Sequence, residues 1–137
     1  MKKILILCTG NSCRSQMAEG YIRHFAGNKA EVSSAGIEAH GVNPMAIAVM
    51  KEDGIDISNH TSKNVSEFMG REFDVVITVC DHAKENCPYF PGKAKMIHQD
   101  FNDPAKATGR EREVMEEFRK VRNAIKSFSR EFVEQDL

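Results

Sequence analysis

Tryptophan is missing from these 137 residues, and so is any apolar stretch long enough to cross a bilayer. An excess of one charge is missing as well. The formal net charge is -1, so no overall field draws the chain to nucleic acid or to an anionic membrane, and any anion must be held locally. The opening MKKILIL starts like a signal peptide, yet its apolar run is short and no small-residue cleavage site follows, so the expected location is the cytoplasm. Repeats, low-complexity tracts and linkers are also lacking. A composition of 41% hydrophobic and 28% charged residues suits one domain over residues 1–137, and nothing in the pattern demands more than a monomer.

What is present is an alternation of short apolar runs with amphipathic segments. Lys3 to Leu7 reads as a buried strand ending at a glycine-bearing turn. From Arg14, the residues Met17, Ala18, Tyr21, Ile22 and Phe25 recur at helical spacing until Gly27-Asn28 stops them. Glu31 to Ala35 is a second strand, and Asn43-Pro44 caps a helix running through Met50 towards Gly54. The β-branched run Asp74 to Val79 is the clearest strand and ends at Cys80. A polar helical segment over 81–87 then stops at Pro88, and Ala94 to His98 forms a weaker fourth strand. A long helix carrying Val114, Phe118, Val121, Ile125 and Phe128 closes the chain, its charged run "GREREVMEEFRKVR" reading as a solvated face. Strands alternating with helices imply an α/β fold: a four-stranded parallel sheet with helices on both faces. Ligands in such folds bind outside the carboxyl ends of the strands, where Cys8 and Cys80 stand.

The turn after the first strand reads "CTGNSCRS". A glycine-containing turn between strand and helix aims backbone N–H groups at one spot, and the helix N-terminus adds its positive end. Thr9, Gly10, Asn11, Ser12 and Cys13 would thus form an oxyanion cradle. Arg14 can curl over it with a planar, bidentate guanidinium. The same groups favour the thiolate of Cys8, to which Ser15 can donate a hydrogen bond. By spacing alone, C-x5-R also fits a buried strand-end thiol and a solvated arginine; its position between strand and helix favours the chemistry.

Four cysteines in a reducing compartment point to catalysis, redox or metal rather than to a disulfide framework. A sheet built on this alternation is expected to make the first and third strands neighbours, about 4.8 Å apart, so Cys8 and Cys80 can bond with little backbone movement. A helical 81–87 segment would hold Cys87 roughly 10 Å from Cys80, so that pair requires the helix to unwind. The polar "DHAKEN" makes such opening cheap, and three thiols can then act in relay, Cys8 to Cys80 to Cys87. Two small buried hydrophobes remain the alternative for Cys80 and Cys87. A metal site including His82 lacks the usual ligand spacing. Cys13 reads as structural, and the five histidines share no metal-like spacing.

Taken together, "CTGNSCRS", "VCDHAKENCP", "FNDPA", "SSAGIEAHGVNP" and "DISNHTS" resemble the thioredoxin-coupled arsenate reductases built on the low-molecular-weight tyrosine phosphatase fold. The resemblance implies that Cys8 attacks arsenate, Arg14 and the loop amides bind it, Ser15 tunes the thiolate, and Asp103 protonates the departing hydroxide. Cys80 then releases arsenite by bonding to Cys8, the disulfide passes to Cys80 and Cys87, and external reduced thioredoxin restores the thiols. No bound cofactor is implied. Some relatives hold potassium beside the loop, and Asn11, Glu19 and Ser34 match three of its ligands; Lys63 replaces the fourth, an aspartate, which speaks against potassium dependence. A further departure is "DFNDPA", where relatives often carry an aromatic residue and a glycine before the phenylalanine.

A phosphatase is the rival enzyme, since phosphate and arsenate are nearly isosteric. Ala105 and Lys106 after Asp-Pro, in place of cleft aromatics, argue against it as the main role, and a phosphatase has no need of Cys80 and Cys87. Weak activity on small aryl phosphates remains expected. A redox-sensing oxyanion binder is the rival from outside enzymology.

Overall fold

In the computed structural model, which describes residues 1–137, the first apolar run becomes β1 (Lys2–Cys8), and Ile4, Leu5, Ile6 and Leu7 are all fully buried. Successive strand residues point to opposite faces, so both faces of β1 are covered, as an interior parallel strand requires. β2 (Ala30–Gly36) and β3 (Val75–Thr78) flank it, β4 (Lys95–His98) lies outside β3, and every pairing is parallel. The order β2-β1-β3-β4 sends the chain one way from β1 to β2 and then back across to β3. The reversal opens a crevice beyond the carboxyl ends of β1 and β3, the position expected for a ligand.

The helices follow from caps and periodicity. Helix α1 (Arg14–Ala26) ends at Gly27, whose φ of 55° suits glycine. Helix α2 (Pro44–Glu52) starts with proline in its first turn and the Asn43 side chain accepting from the Met45 N–H. Helix α4 (Glu111–Asp136) packs on α1 and α2 and buries Phe118, Val121, Ile125 and Phe132. Its charged face is more than a solvated one: Arg119 and Arg122 both reach the Glu52 carboxylate at the end of α2. None of the helices is long and apolar enough to cross a membrane.

Helix α3 (Asp81–Glu85) is shorter than the expected 81–87 segment. Pro88 disfavours the helical conformation in the residue before it, so Cys87 lies outside the helix, and Asn86 closes the end by donating to the His82 carbonyl. Ala83 is the one buried residue of α3.

Candidate active site

The loop after β1 is turned inside out by its neighbours. The carbonyls of Cys8, Thr9, Gly10 and Ser12 accept from the amides of Ile37, Glu38, His40 and Asn43. With its carbonyls facing this outer segment, the loop has its amides from Thr9 to Arg14 donating to no protein acceptor. Orphan amides converging in front of a thiol form an anion cradle. Close approach makes the arrangement possible. A Cβ on Gly36 would lie 2.1 Å from the Glu38 carbonyl oxygen and 2.6 Å from the Asn11 nitrogen.

Asn11 is the buried pivot of the loop. Its φ of 48° is left-handed, a region that asparagine tolerates better than most side chains. The Lys63 backbone N–H donates to Oδ1 at 2.8 Å, which fixes the amide orientation, because an N–H cannot accept. Nδ2 therefore donates to Ser15 Oγ at 2.8 Å and Ser34 Oγ at 2.9 Å. With its oxygen accepting from Asn11, Ser15 has its proton free for Cys8 Sγ, also 2.8 Å away. Gln16 completes the scaffold by donating to Asn11 Oδ1 and to the Thr61 carbonyl.

Arg14 follows the cradle as the first residue of α1. Its Nη1 donates to the Phe101 carbonyl at 3.1 Å, and Nη2 lies 3.6 Å from Asp103 Oδ2. Asp103 in turn caps a short helical turn, Pro104–Lys106, by accepting from the Ala105 N–H at 3.0 Å. Asp103 thus closes a turn with one oxygen while the other faces Arg14. Arg14, Asp103 and the loop line a cavity of about 280 Å³ with Cys8 at its wall. His40, Ala105 and Lys106 line it too, with no phenylalanine or tyrosine. The 37–43 segment belongs to a stretch that carried the family resemblance, but its role in orienting the loop, and the place of His40 at the cavity wall, were not read from the sequence.

Cys80 caps α3, its sulfur accepting from the Ala83 N–H at 3.4 Å, and sits 3.3 Å from Thr9 Oγ1. The β1–β3 pairing brings it there, since Leu7 and Thr78 are register partners. All four cysteines are free thiols. Cys13 is buried, and desolvation pushes its pKa up to about 12, leaving it a poor nucleophile. Cys87 is half-buried, with burial raising its pKa, and its Sγ donates to the Pro88 carbonyl at 3.4 Å.

Asn11, Glu19 and Ser34 do come together, but as a closed hydrogen-bonded set. Ser34 donates to Glu19 Oε1 at 2.6 Å, and Arg23 takes Oε2 at 2.8 Å. The Lys63 ammonium donates to the Thr61 carbonyl at 2.8 Å. With the asparagine oxygen doubly occupied and the carboxylate neutralised by arginine, these residues do not fit a potassium cage.

A parallel α/β sheet whose first loop leaves its amides free beside a cysteine defines a phosphatase-like fold class. The chain belongs to the low molecular weight phosphotyrosine protein phosphatase family, whose model matches residues 3–137. It is 49% identical over 133 residues to an arsenate reductase of Halalkalibacterium halodurans, covering 97% of this chain and 96% of that one. Identity and coverage are the same for an arsenate reductase of Bacillus subtilis. A solved arsenate reductase in the oxidized state superposes with a TM-score of 0.81 at 35% identity, over 98% of both chains.

Proposed function

We propose that this protein reduces arsenate to arsenite through a relay of Cys8, Cys80 and Cys87 that thioredoxin recycles. The observation that carries this reading is the location of Cys80, whose sulfur lies 3.3 Å from Thr9 Oγ1 at the rim of the Cys8 loop. A hydrolytic phosphatase has no use for a second thiol there.

Arsenate docks on the loop amides and Arg14, which are pre-aimed and need no reorganisation as charge develops. The Cys8 thiolate attacks arsenic while Asp103 supplies a proton to the departing hydroxide, which leaves as water. Cys80 then attacks the Cys8 sulfur. A sulfur–sulfur bond forms, the sulfur–arsenic bond breaks, and its electron pair stays on arsenic, which departs as arsenite. Cys87 attacks Cys80 and frees Cys8. For this last step α3 must open, and five residues with one buried side chain hold it only weakly. Thioredoxin, as the dithiol donor, reduces the Cys80–Cys87 bond. A groove of about 460 Å³ beside Cys87, lined by Pro88, Phe90 and Ala94 and by the exposed Tyr89 and Met96, gives an apolar approach to it.

This chemistry suits a reducing cytoplasm and a single chain acting as a monomer, with neither nucleic acid nor membrane as partner. The test is NADPH consumption with arsenate, thioredoxin and thioredoxin reductase, comparing the intact protein with Cys87→Ser. Sustained turnover that the variant loses supports the relay. Hydrolysis of an aryl phosphate without arsenate turnover would assign a phosphatase instead.

A further inference from the structure

A hydrogen-bonded chain behind Cys80 is not used by the relay. Thr78 and His98 are register partners on β3 and β4, with Thr78 Oγ1 2.7 Å from His98 Nδ1. His98 Nε2 lies 2.8 Å from Asp81 Oδ1. A carboxylate accepts only, so Nε2 carries a proton, and in the neutral ring the Thr78 hydroxyl donates to Nδ1. The order Thr, His, Asp is that of a nucleophilic triad, but Thr78 is 2% exposed and its hydroxyl is out of reach of any substrate. The chain acts mechanically. Asp81 directly follows Cys80 and opens α3, and its backbone N–H donates to Asp100 Oδ1 at 3.1 Å.

We propose that His98 is a positioning residue for Cys80. By holding Asp81 it clamps the first residue of α3 to β4, so α3 opens from its far end and Cys87 swings towards a stationary Cys80. Two features support this asymmetry. Beyond Asp81, only Ala83 of α3 is buried, whereas position 81 is tied by both its side chain and its amide. The stretch that supplies the clamp also holds the oxyanion arginine, since the Phe101 carbonyl accepts from Arg14. One strap, His98 to Asp103, thereby sets the second thiol and the anion site together.

The catalytic consequence rests on the three-thiol reading, but the clamp is measurable without it. Cys80 is 3% exposed, so its alkylation reports local opening of α3. In reduced, arsenate-free protein, iodoacetamide labelling of Cys80 should rise about 3- to 10-fold in Asp81→Ala and in His98→Leu, the ratio expected for one lost hydrogen bond. Asp81→Asn keeps an acceptor oxygen and should restore slow labelling. Labelling of Cys8 should stay unchanged in both, and the global urea midpoint should stay unchanged in Asp81→Ala, whereas His98→Leu also strips the buried Thr78 hydroxyl of its partner and should lower it. In turnover kcat should fall with the KM for arsenate constant. Unchanged Cys80 labelling in both variants, or a rise in Asp81→Ala that merely follows a lower urea midpoint, would overturn the clamp. Absence of arsenate turnover in the intact protein would defeat the relay reading while the labelling result still decides the clamp.

Discussion

The Ser15 hydroxyl stands 2.8 Å from Cys8 Sγ, and Asn11 Nδ2, donating to the same oxygen from 2.8 Å, leaves it no better use for its proton. A hydrogen bond to a charged sulfur contributes about 1.5–3 kcal/mol. Ser15→Ala should therefore slow the first chemical step roughly 10- to 100-fold, read as arsenite release in a single turnover. Asn11, which aims the hydroxyl, comes from the loop itself, but Lys63, which fixes the asparagine, comes from far along the chain.

Asp103 offers a separable test, because its two oxygens have different tasks. Oδ1 caps the Pro104 turn, and Oδ2 faces Arg14. Asp103→Asn retains an acceptor for the cap but cannot donate as a carboxylic acid. Turnover should fall about 10²- to 10⁴-fold, with the melting temperature unchanged. A loss of stability matching the loss of turnover would reduce Asp103 to a turn residue.

Gly36 is the closest approach of strand end to loop. With a Cβ only 2.1 Å from the Glu38 carbonyl, Gly36→Ala must push the loop or the strand aside. Destabilisation of about 3 kcal/mol or more is expected in urea unfolding, together with loss of arsenate binding.

Acid should loosen the brace between α2 and α4. The Arg119 hydrogen bond, aided by Arg122, lowers the pKa of Glu52 from 4.5 to about 2. A folded-state pKa below the unfolded value means the contribution is complete above about pH 4.5 and fades as pH falls towards 2. The melting temperature of the intact protein should exceed that of Glu52→Gln at neutral pH, and the gap should close through that window. A constant gap would show that charge at Glu52 is not what matters.

The elements that the sequence made legible are those with local signals. β1 announces itself by an apolar run, α1 by spacing and Gly27, α2 by Asn43-Pro44, and the Cys8 loop by its place between strand and helix. The neighbouring of β1 and β3, which carries Cys80 to the loop, followed from the alternation of strands and helices. What stayed hidden depends on distant partners. The loop carbonyls are satisfied by the segment after β2, Asn11 is oriented by Lys63, and Glu19 is neutralised by Arg23 and not left for a cation. His98 has no local signature at all, since its meaning arises from Thr78 across the sheet and Asp81 at the next helix.

The relay is tested most directly by mapping thiols and disulfides after one turnover. Reduced protein is mixed with arsenate without thioredoxin, quenched with an alkylating agent and analysed by mass spectrometry. Arsenite should appear at one equivalent per chain, with Cys80 bonded to Cys87 and with Cys8 and Cys13 alkylated; Cys87→Ser should stop with Cys8 bonded to Cys80. Arsenite formed without a disulfide, or a disulfide that includes Cys13, would contradict it.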